Sequence, residues 1–570
     1  VRRARWSAVV DGLCYAALAI LVWGVNALQR GMWQDDVQAL AMAHMRSGSF
    51  AALFAPDVGP LRRLTVLPSA LAWATPHPVW ALQILCAAIW LAQAMLAAWI
   101  TALLLPGRRL ARFLVVCLTL TATSDLTTGS MLTLGYNFGA LQLLAAAGCA
   151  LVWLGPGRAA SRSAALVAST ILLLGSLLTI DVGVPAIPFL VLLFILLGFS
   201  AARGAETHEF WASGPVRRVA ILLIAWSIVV IPIAIAEWRF LHDPTSYAAT
   251  ALIPVAKGTL VARAFGLWLV NFTPWRWAFA RPAWWVRPAS VIPASWMAAG
   301  SLIAASIFLL RLRTKNDDAG LDDGRRSVLL AVLFVTMALA ANAVYSFVQF
   351  SEIWYRTQIL SRVWVSMAIG ILAGWAARRK PLLRWIAYAT VTAFVFFGAW
   401  GGFERQDYFL SVWRWHQREL ASVLNAAPAL RPGTAIILRG TPPPGRYLAT
   451  EADYLSRCWL LLLYEDRNLL TMRLNPSRKS GCVAVAGGLD CWLEGQADCF
   501  ADKTCLPFPF RFDSLVLMDY DAGSGTYRLV PSLHNDPLVS GHELDAEIYH
   551  PEKRIVMQPW TTRQRRLLLE

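Results

Sequence analysis

Charge is scarce in this chain. Only 15% of its 570 residues are Asp, Glu, Lys or Arg, against ~25% in ordinary soluble domains. Hydrophobic residues make up 57%, and mean hydropathy is +0.51. Such a balance excludes a disordered chain and argues against a purely soluble enzyme. Also missing are a phosphate-binding loop, a G-x-G-x-x-G turn, an H-E-x-x-H pair and any Ser/His/Asp arrangement of recognisable spacing. Nucleotide-driven transport and nucleotide-linked substrates on a soluble domain are therefore unsupported. No internal repeat or heptad pattern stands out. What the chain has in quantity is tryptophan, 27 residues, a residue that gathers at membrane–water interfaces. These features together describe a polytopic α-helical membrane protein.

A transmembrane helix needs about 20 mostly apolar residues. Eleven candidate spans result, at 8–28, 79–105, 113–124, 131–154, 164–181, 184–199, 219–237, 291–310, 327–345, 363–377 and 385–402. The third is short as drawn and must borrow flanking residues. A further apolar stretch, 66–77, contains Pro68 and is closed by Pro76 and Pro78, which predicts an interfacial helix. The first span is too long, and too poor in small residues at a cleavage site, for a signal peptide, so it reads as a retained helix.

The net charge of +16 would suggest nucleic acid in a soluble protein. Here the cations sit in short loops between apolar segments, as in Arg2/Arg3/Arg5, Arg108/Arg109/Arg112 and Arg378/Arg379/Lys380. That is the positive-inside pattern and not a nucleic-acid surface. It places the N-terminus in the cytoplasm and the loops 29–65, 123–130, 238–290 and 346–362 outside. With eleven spans, residues 1–402 form the membrane domain and 403–570 an extracytoplasmic, periplasmic-type domain on the outer face of the cytoplasmic membrane.

Composition within 403–570 shifts to Pro, Gly, Asp and Arg. A helix is expected over Gln417–Leu424 and a buried strand over Thr434–Leu438. Ser514–Met518 and Thr526–Val530 are expected to pair as a hairpin around the turn Asp521–Gly525. The domain is therefore expected to be a small α+β unit. Four cysteines, Cys482, Cys491, Cys499 and Cys505, fall close together there. They read as a disulfide cluster in an oxidising compartment. A zinc site is the rival, although no C-x-x-C pair is present.

The most informative segment follows the first span: Met32-Trp-Gln-Asp-Asp-Val-Gln-Ala-Leu-Ala-Met-Ala-His44. Asp35 and Asp36 stand beside Trp33 at the start of a helix-forming stretch. They are either dipole-stabilised capping residues or reactive carboxylates. After them come Val37–Ser47 and then Gly59-Pro-Leu-Arg-Arg-Leu-Thr-Val-Leu-Pro68. This order resembles the first outer loop of the GT-C superfamily of integral-membrane glycosyltransferases. In that superfamily an acidic residue or pair after the first span is followed by an amphipathic helix and a proline-containing, arginine-bearing stretch. The overall plan is also similar: a retained first helix, about eleven spans and an outer C-terminal domain.

The resemblance implies a sugar transferred from a polyprenyl-phosphate-linked donor to a glycan, lipid or protein acceptor at the outer face. Asp36 or Asp35 would be the general base, with Asp36 preferred, and Asp125 matches the second acidic position of an early outer loop. Asp125 otherwise reads as a turn residue in Thr123–Gly129. Asp181 ends an apolar run, where an acid is either functional or interfacial. The cations expected at the leaving phosphate are Arg62, Arg63, Arg356 and Arg362, because the arginine fork suits phosphate. Pairing with Glu352 or lipid headgroups is the alternative for the last two. The run Trp268, Trp275, Trp277, Trp284 and Trp285 with Arg276, Arg281 and Arg287 reads as an interfacial belt or as a seat for the polyprenyl chain. The adjacent acids could hold a divalent cation, but no third ligand is apparent and no metal site is assigned. A flippase for lipid-linked saccharides, or a non-catalytic envelope assembly protein, is the competing function. Spans almost free of charge and lacking a two-fold repeat speak against a transporter.

Overall fold

The apolar runs fold as helices. The computed structural model describes residues 2–24, 29–32, 35–46, 63–123, 134–179, 184, 186–201, 214–242, 257–279, 323–343, 358–440, 453–474, 480–493, 508–540 and 545–569. The first helices are α1 (Arg2–Ala19, continued by one π-helical turn, Ile20–Gly24), α2 (Asp35–Arg46), α3 (Leu67–Trp73), α4 (Pro78–Leu104) and α5 (Arg109–Thr121). They are followed by α6 (Leu134–Leu154), α7 (Ala159–Thr179), α8 (Ile187–Ala201), α9 (Gly214–Leu241), α10 (Lys257–Phe272) and the short α11 (Arg276–Phe279). Three more of the described helices are α12 (Asp323–Ala343), α13 (Ser361–Ala376) and α14 (Pro381–Ala426).

Among the described residues, six helices are long and apolar enough to cross a membrane: α4, α6, α7, α9, α12 and α14. The chain is a polytopic helical membrane protein. α9 shows the lipid-facing logic, since Ile224, Ile228, Ile231 and Ile235 form one exposed apolar stripe. The expected span 113–124 falls in α5, which has only 13 residues, about 20 Å at the usual rise and short of the ~30 Å hydrocarbon core. The expected span 291–310 lies outside the described residues.

Close backbone approach holds the bundle centre. α13 lies on α5 through Gly370 and Gly374. A Cβ at the first would stand 2.9 Å from the Val115 amide nitrogen, and at the second 3.0 Å from the Ala111 Cα. This spacing of two small residues is a common device for packing membrane helices.

α14 runs unbroken for 46 residues, roughly 70 Å. The separate helix expected at 417–424 is its far end. Between Pro381 and Pro428 no proline removes a backbone donor, so nothing stops the helix at residue 402. It carries the bundle into a mixed segment of three sheets and two helices: β1 (Ala429–Leu430), β2 (Ala435–Arg439), a twelve-residue helix α15 (Asp453–Tyr464), β3 (Leu470–Leu474), β4 (Ser480–Val485), β5 (Gly488–Leu493), β6 (Phe508–Arg511), β7 (Leu515–Asp521), β8 (Thr526–Leu529), β9 (Ile555–Val556), which pairs with β1, and a last helix α16 (Thr562–Leu568).

The main sheet has the order β3-β2-β7-β8, with β2 parallel to both neighbours and β7–β8 an antiparallel hairpin. The strands expected near 434–438, 514–518 and 526–530 form there. At the hairpin turn Gly525, at φ +71°, donates its amide to the Asp521 carbonyl at 2.8 Å. β2 is buried on both faces, as a parallel strand must be. Ile436 and Leu438 pack toward Val423 of α14 and Leu460 of α15, while Ile437 packs toward Phe510 and Phe512. The second sheet, β4-β5-β6, carries one disulfide, Cys482–Cys491, between directly paired residues. Cys499 and Cys505 lie outside the described residues.

Candidate active site

α2 begins at the acidic pair. Asp36 is only 5% exposed, although its side chain is a carboxyl group. The reason is its place on the helix: Asp36, Leu40, Ala43 and His44 share one face at helical spacing, and all are buried. The same helix start favours a negative charge through its dipole. Asp35 occupies the adjoining backbone position in the first turn.

The residues leading into this helix are pinned to the bundle. The Arg30 carbonyl accepts from Gln83 Nε2 of α4 at 2.7 Å. Gly31 lies flush against Trp413 of α14, where any side chain would enter the indole. Arg30 itself is almost fully enclosed, donating to the Trp23 carbonyl at 2.8 Å with its guanidinium 4.6 Å from the Trp23 ring centre. Burial lowers its pKa to about 9, so it stays cationic at neutral pH. α2 then packs between α3 and α15. Met42 and Ala43 meet Val66 and Ala70, and Val37 and Leu40 join the large core that contains Trp459 and Leu462.

A buried polar network ties the neighbouring helix ends together. Arg362, at the start of α13, donates through Nη2 to Gln93 Oε1 of α4 at 3.1 Å and to Asn137 Oδ1 of α6 at 2.9 Å. Asn271, near the end of α10, bonds Gln358, which also accepts from Ser361 at 2.8 Å. Trp277 donates to the Asn271 carbonyl at 3.2 Å. The Trp277 carbonyl in turn accepts from Thr123 and from Arg405, each at 2.9 Å. Buried amides, hydroxyls and guanidiniums thus satisfy one another, which low-dielectric surroundings require. At the α1–α5 contact the pairing is ionic and half-buried: Arg109 of α5 pairs with Asp11 of α1 at 3.2 Å.

The expected site residues are distributed as follows. Asp35 and Asp36 open α2. Arg63 is exposed in the turn before α3. Its neighbours fasten to the end of α7, Leu64 donating its amide to the Leu178 carbonyl at 2.9 Å and Thr65 its hydroxyl to that of Thr179 at 2.7 Å. This brings the arginine turn beside the segment that leads to Asp181. Arg362 is enclosed and bonded to the neutral amides of Gln93 and Asn137, while its alternative partner Glu352 lies outside the described residues. Trp33, Arg62, Asp125, Asp181 and Arg356 lie outside the described residues. So do Trp284 and Trp285 of the tryptophan run. Within that run Trp277 is fully buried against Phe394, a core residue and not an interfacial one, because its N–H and carbonyl are both consumed by the network. Trp275 is exposed.

Sequence reasoning overlooked Arg30, Gln93, Asn137 and Arg405. The available signal was a polar residue inside or at the edge of an apolar run. Among the described residues, no three His, Cys, Asp or Glu side chains cluster as metal ligands do.

The fold is similar to that of ArnT from Cupriavidus metallidurans in its apo state, with 13% identity over 84% of this chain and 87% of that one and a TM-score of 0.41. The same protein bound to undecaprenyl phosphate gives 14% identity, 80% and 89% coverage and a TM-score of 0.38. The Archaeoglobus fulgidus oligosaccharyltransferase, tethered to an acceptor peptide containing an NVT sequon, gives 13% identity over 78% of this chain and 63% of that one, with a TM-score of 0.36. No family model and no curated protein matches the chain. Likenesses at these identities and scores assign neither an activity nor a ligand.

Proposed function

We propose that this chain is a membrane glycosyltransferase of GT-C type, transferring a sugar from a polyprenyl-phosphate-linked donor to an acceptor hydroxyl or amide of a glycan, lipid or protein. The observation that carries the reading is Asp36, a carboxylate buried at the first turn of a helix whose approach is nailed to α4 and α14. A carboxylate held this way is positioned to take a proton from a weak nucleophile, an effect typically worth 10²–10⁴ in rate. The acceptor oxygen or nitrogen then forms the new bond to the anomeric carbon as the carbon–oxygen bond to phosphate breaks. The proton passes to Asp36, and the polyprenyl phosphate leaves with the electron pair.

Phosphate leaves readily when cations meet its developing charge. Arg30, six residues before Asp36, and Arg63, beside the end of α7, are the described candidates. Arg62 and Arg356 join them from the sequence, and Arg362 acts by holding α4, α6 and α13 together. Asp35, Asp125 and Asp181 are proposed to orient the acceptor or a neighbouring cation, and Trp33 to pack against the sugar or lipid. In this reading the Asp36 end of the bundle faces outward from the cytoplasmic membrane. Residues 403–570 stand beyond it and shape the acceptor side.

The test uses the full chain in nanodiscs with a panel of polyprenyl-phosphate sugars and candidate acceptors. Release of polyprenyl phosphate is measured for wild type, Asp35→Asn and Asp36→Asn. Release that depends on donor and is abolished by Asp36→Asn, with unchanged melting, supports the proposal. Donor binding without turnover, indifferent to both substitutions, overturns it in favour of a lipid-linked saccharide flippase.

A further inference from the structure

α2 is gripped at the end opposite Asp36 as well, and the grip comes from the far end of the sequence. Arg467, just after α15, donates Nη2 to the His44 carbonyl at 3.1 Å. Arg563 of α16 donates Nη2 to the Trp73 carbonyl at 3.2 Å, and its guanidinium lies 3.7 Å from the Trp73 ring centre. Arg566 donates to the Pro76 carbonyl at 3.2 Å. Two of these acceptors, His44 and Trp73, lie in the last turns of α2 and α3, where side chains commonly satisfy helix-end carbonyls. Cations at such ends also complement the helix dipole.

The Trp73 ring meets the His44 ring edge-on, with centres 4.8 Å apart. Glu465 completes the assembly. It closes α15 in the left-handed region at φ 54°, a conformation that non-glycine residues rarely adopt. There its backbone hydrogen-bonds the His44 side chain, and its carboxylate stands 3.8 Å from Arg563 Nε. A glycine would suit that backbone better; the carboxylate facing Arg563 is what glycine would lack.

We infer that Arg563, acting through Trp73 and His44 and balanced by Glu465, is a positioning residue that sets where the acidic end of α2 stands. His44 and Asp36 are eight residues apart on one rigid helix, about 12 Å, so a shift at one end displaces the other. The α16 segment is itself anchored, since Gln564 donates to the Pro428 and Leu463 carbonyls at 3.1 and 3.0 Å. The clamp therefore joins the acidic helix to the sheet-bearing half of the chain. This inference rests on the reading of Asp36 as the base.

The experiment uses full-length Arg563→Ala and Arg563→Lys in nanodiscs. Amide hydrogen exchange over residues 35–46 is measured by mass spectrometry, and turnover is measured with the active polyprenyl-phosphate sugar. Arg563→Ala is expected to speed exchange across α2 about tenfold, leaving β2 and β7 unmoved. It is also expected to lower kcat about tenfold with KM for the donor unchanged. Arg563→Lys keeps the charge facing Glu465 but loses the planar stack, and should recover part of both. Should Arg563→Ala fail to fold, Glu465→Gln is expected to move both readouts in the same direction by a smaller factor. Unchanged exchange across α2, or a change spread equally over the sheet, overturns the clamp. A fully active Asp36→Asn would remove the base reading instead, and the exchange result would still decide whether Arg563 holds α2.

Discussion

Arg362 and Asn137 stand 225 positions apart in the chain, yet the guanidinium donates to the asparagine side-chain oxygen at 2.9 Å. That bond joins the start of α13 to the start of α6, and Gln93 of α4 completes a three-helix junction. Of these three helices, α4 also holds the approach to α2, through Gln83 and the Arg30 carbonyl.

Removing the guanidinium takes the donor from Gln93 Oε1 and leaves Asn137 Oδ1 with Gln93 Nε2, at 3.3 Å. Arg362→Ala should therefore cost about 3 kcal/mol, given ~1.5–3 kcal/mol for hydrogen bonds to charged groups. Thermal melting in detergent checks this. Arg362→Lys, with one compact ammonium in place of a fork, should recover only part of the loss.

Asp36→Asn keeps shape and burial but removes the basic lone pair. Donor-dependent turnover should fall by about 10²–10⁴, while the lost helix-dipole interaction should cost no more than ~1 kcal/mol. Steady-state kinetics and melting measured on the same preparation separate the two effects. Equal turnover in mutant and wild type would leave Asp36 as a helix-start residue alone.

His44 supplies a pH dependence. Burial, followed by the charges of Arg467 and Arg563, lowers its pKa below the ordinary 6.5. A histidine whose folded pKa is depressed favours the fold in its neutral form. The stability it contributes is complete above pH 6.5 and declines as pH falls below that value toward the folded pKa. Wild type should melt earlier at pH 5 than at pH 8, and His44→Gln should flatten that difference. A slope unchanged by the substitution would show that other groups set it.

Reducing the Cys482–Cys491 bridge frees a short loop in the unfolded state, and the chain-entropy relation gives about 2.5 kcal/mol for a loop of this size. The β4–β5 hairpin should become protease-sensitive under dithiothreitol, while the β2–β7 core stays protected. Limited proteolysis with and without reductant tests this.

The spans were legible because hydropathy is a property of consecutive residues. α4, α6, α7 and α9 lie where apolar runs of the right length predicted them. The hairpin β7–β8 was equally plain from its turn residues and flanking apolar segments. α15 was not anticipated, although Trp459–Leu463 is strongly apolar; its burial among α2, α16 and β3 accounts for that apolar run. The Trp277 side chain was likewise read as part of an interfacial belt or a lipid seat, since composition alone does not distinguish a ring facing lipid from one whose N–H is used inside.

By itself the sequence determined that this protein is a polytopic helical membrane protein with an acidic pair opening a helix after its first apolar segment, because those features depend on neighbours within about one helix length. Only the tertiary structure decided which polar residues meet. Arg362 with Gln93 and Asn137, and Arg563 with Trp73 and Glu465, are joined by contacts spanning up to 490 positions. Such partners are selected by the packing of whole helices and by the cost of leaving a buried polar group unbonded, and no local pattern encodes them.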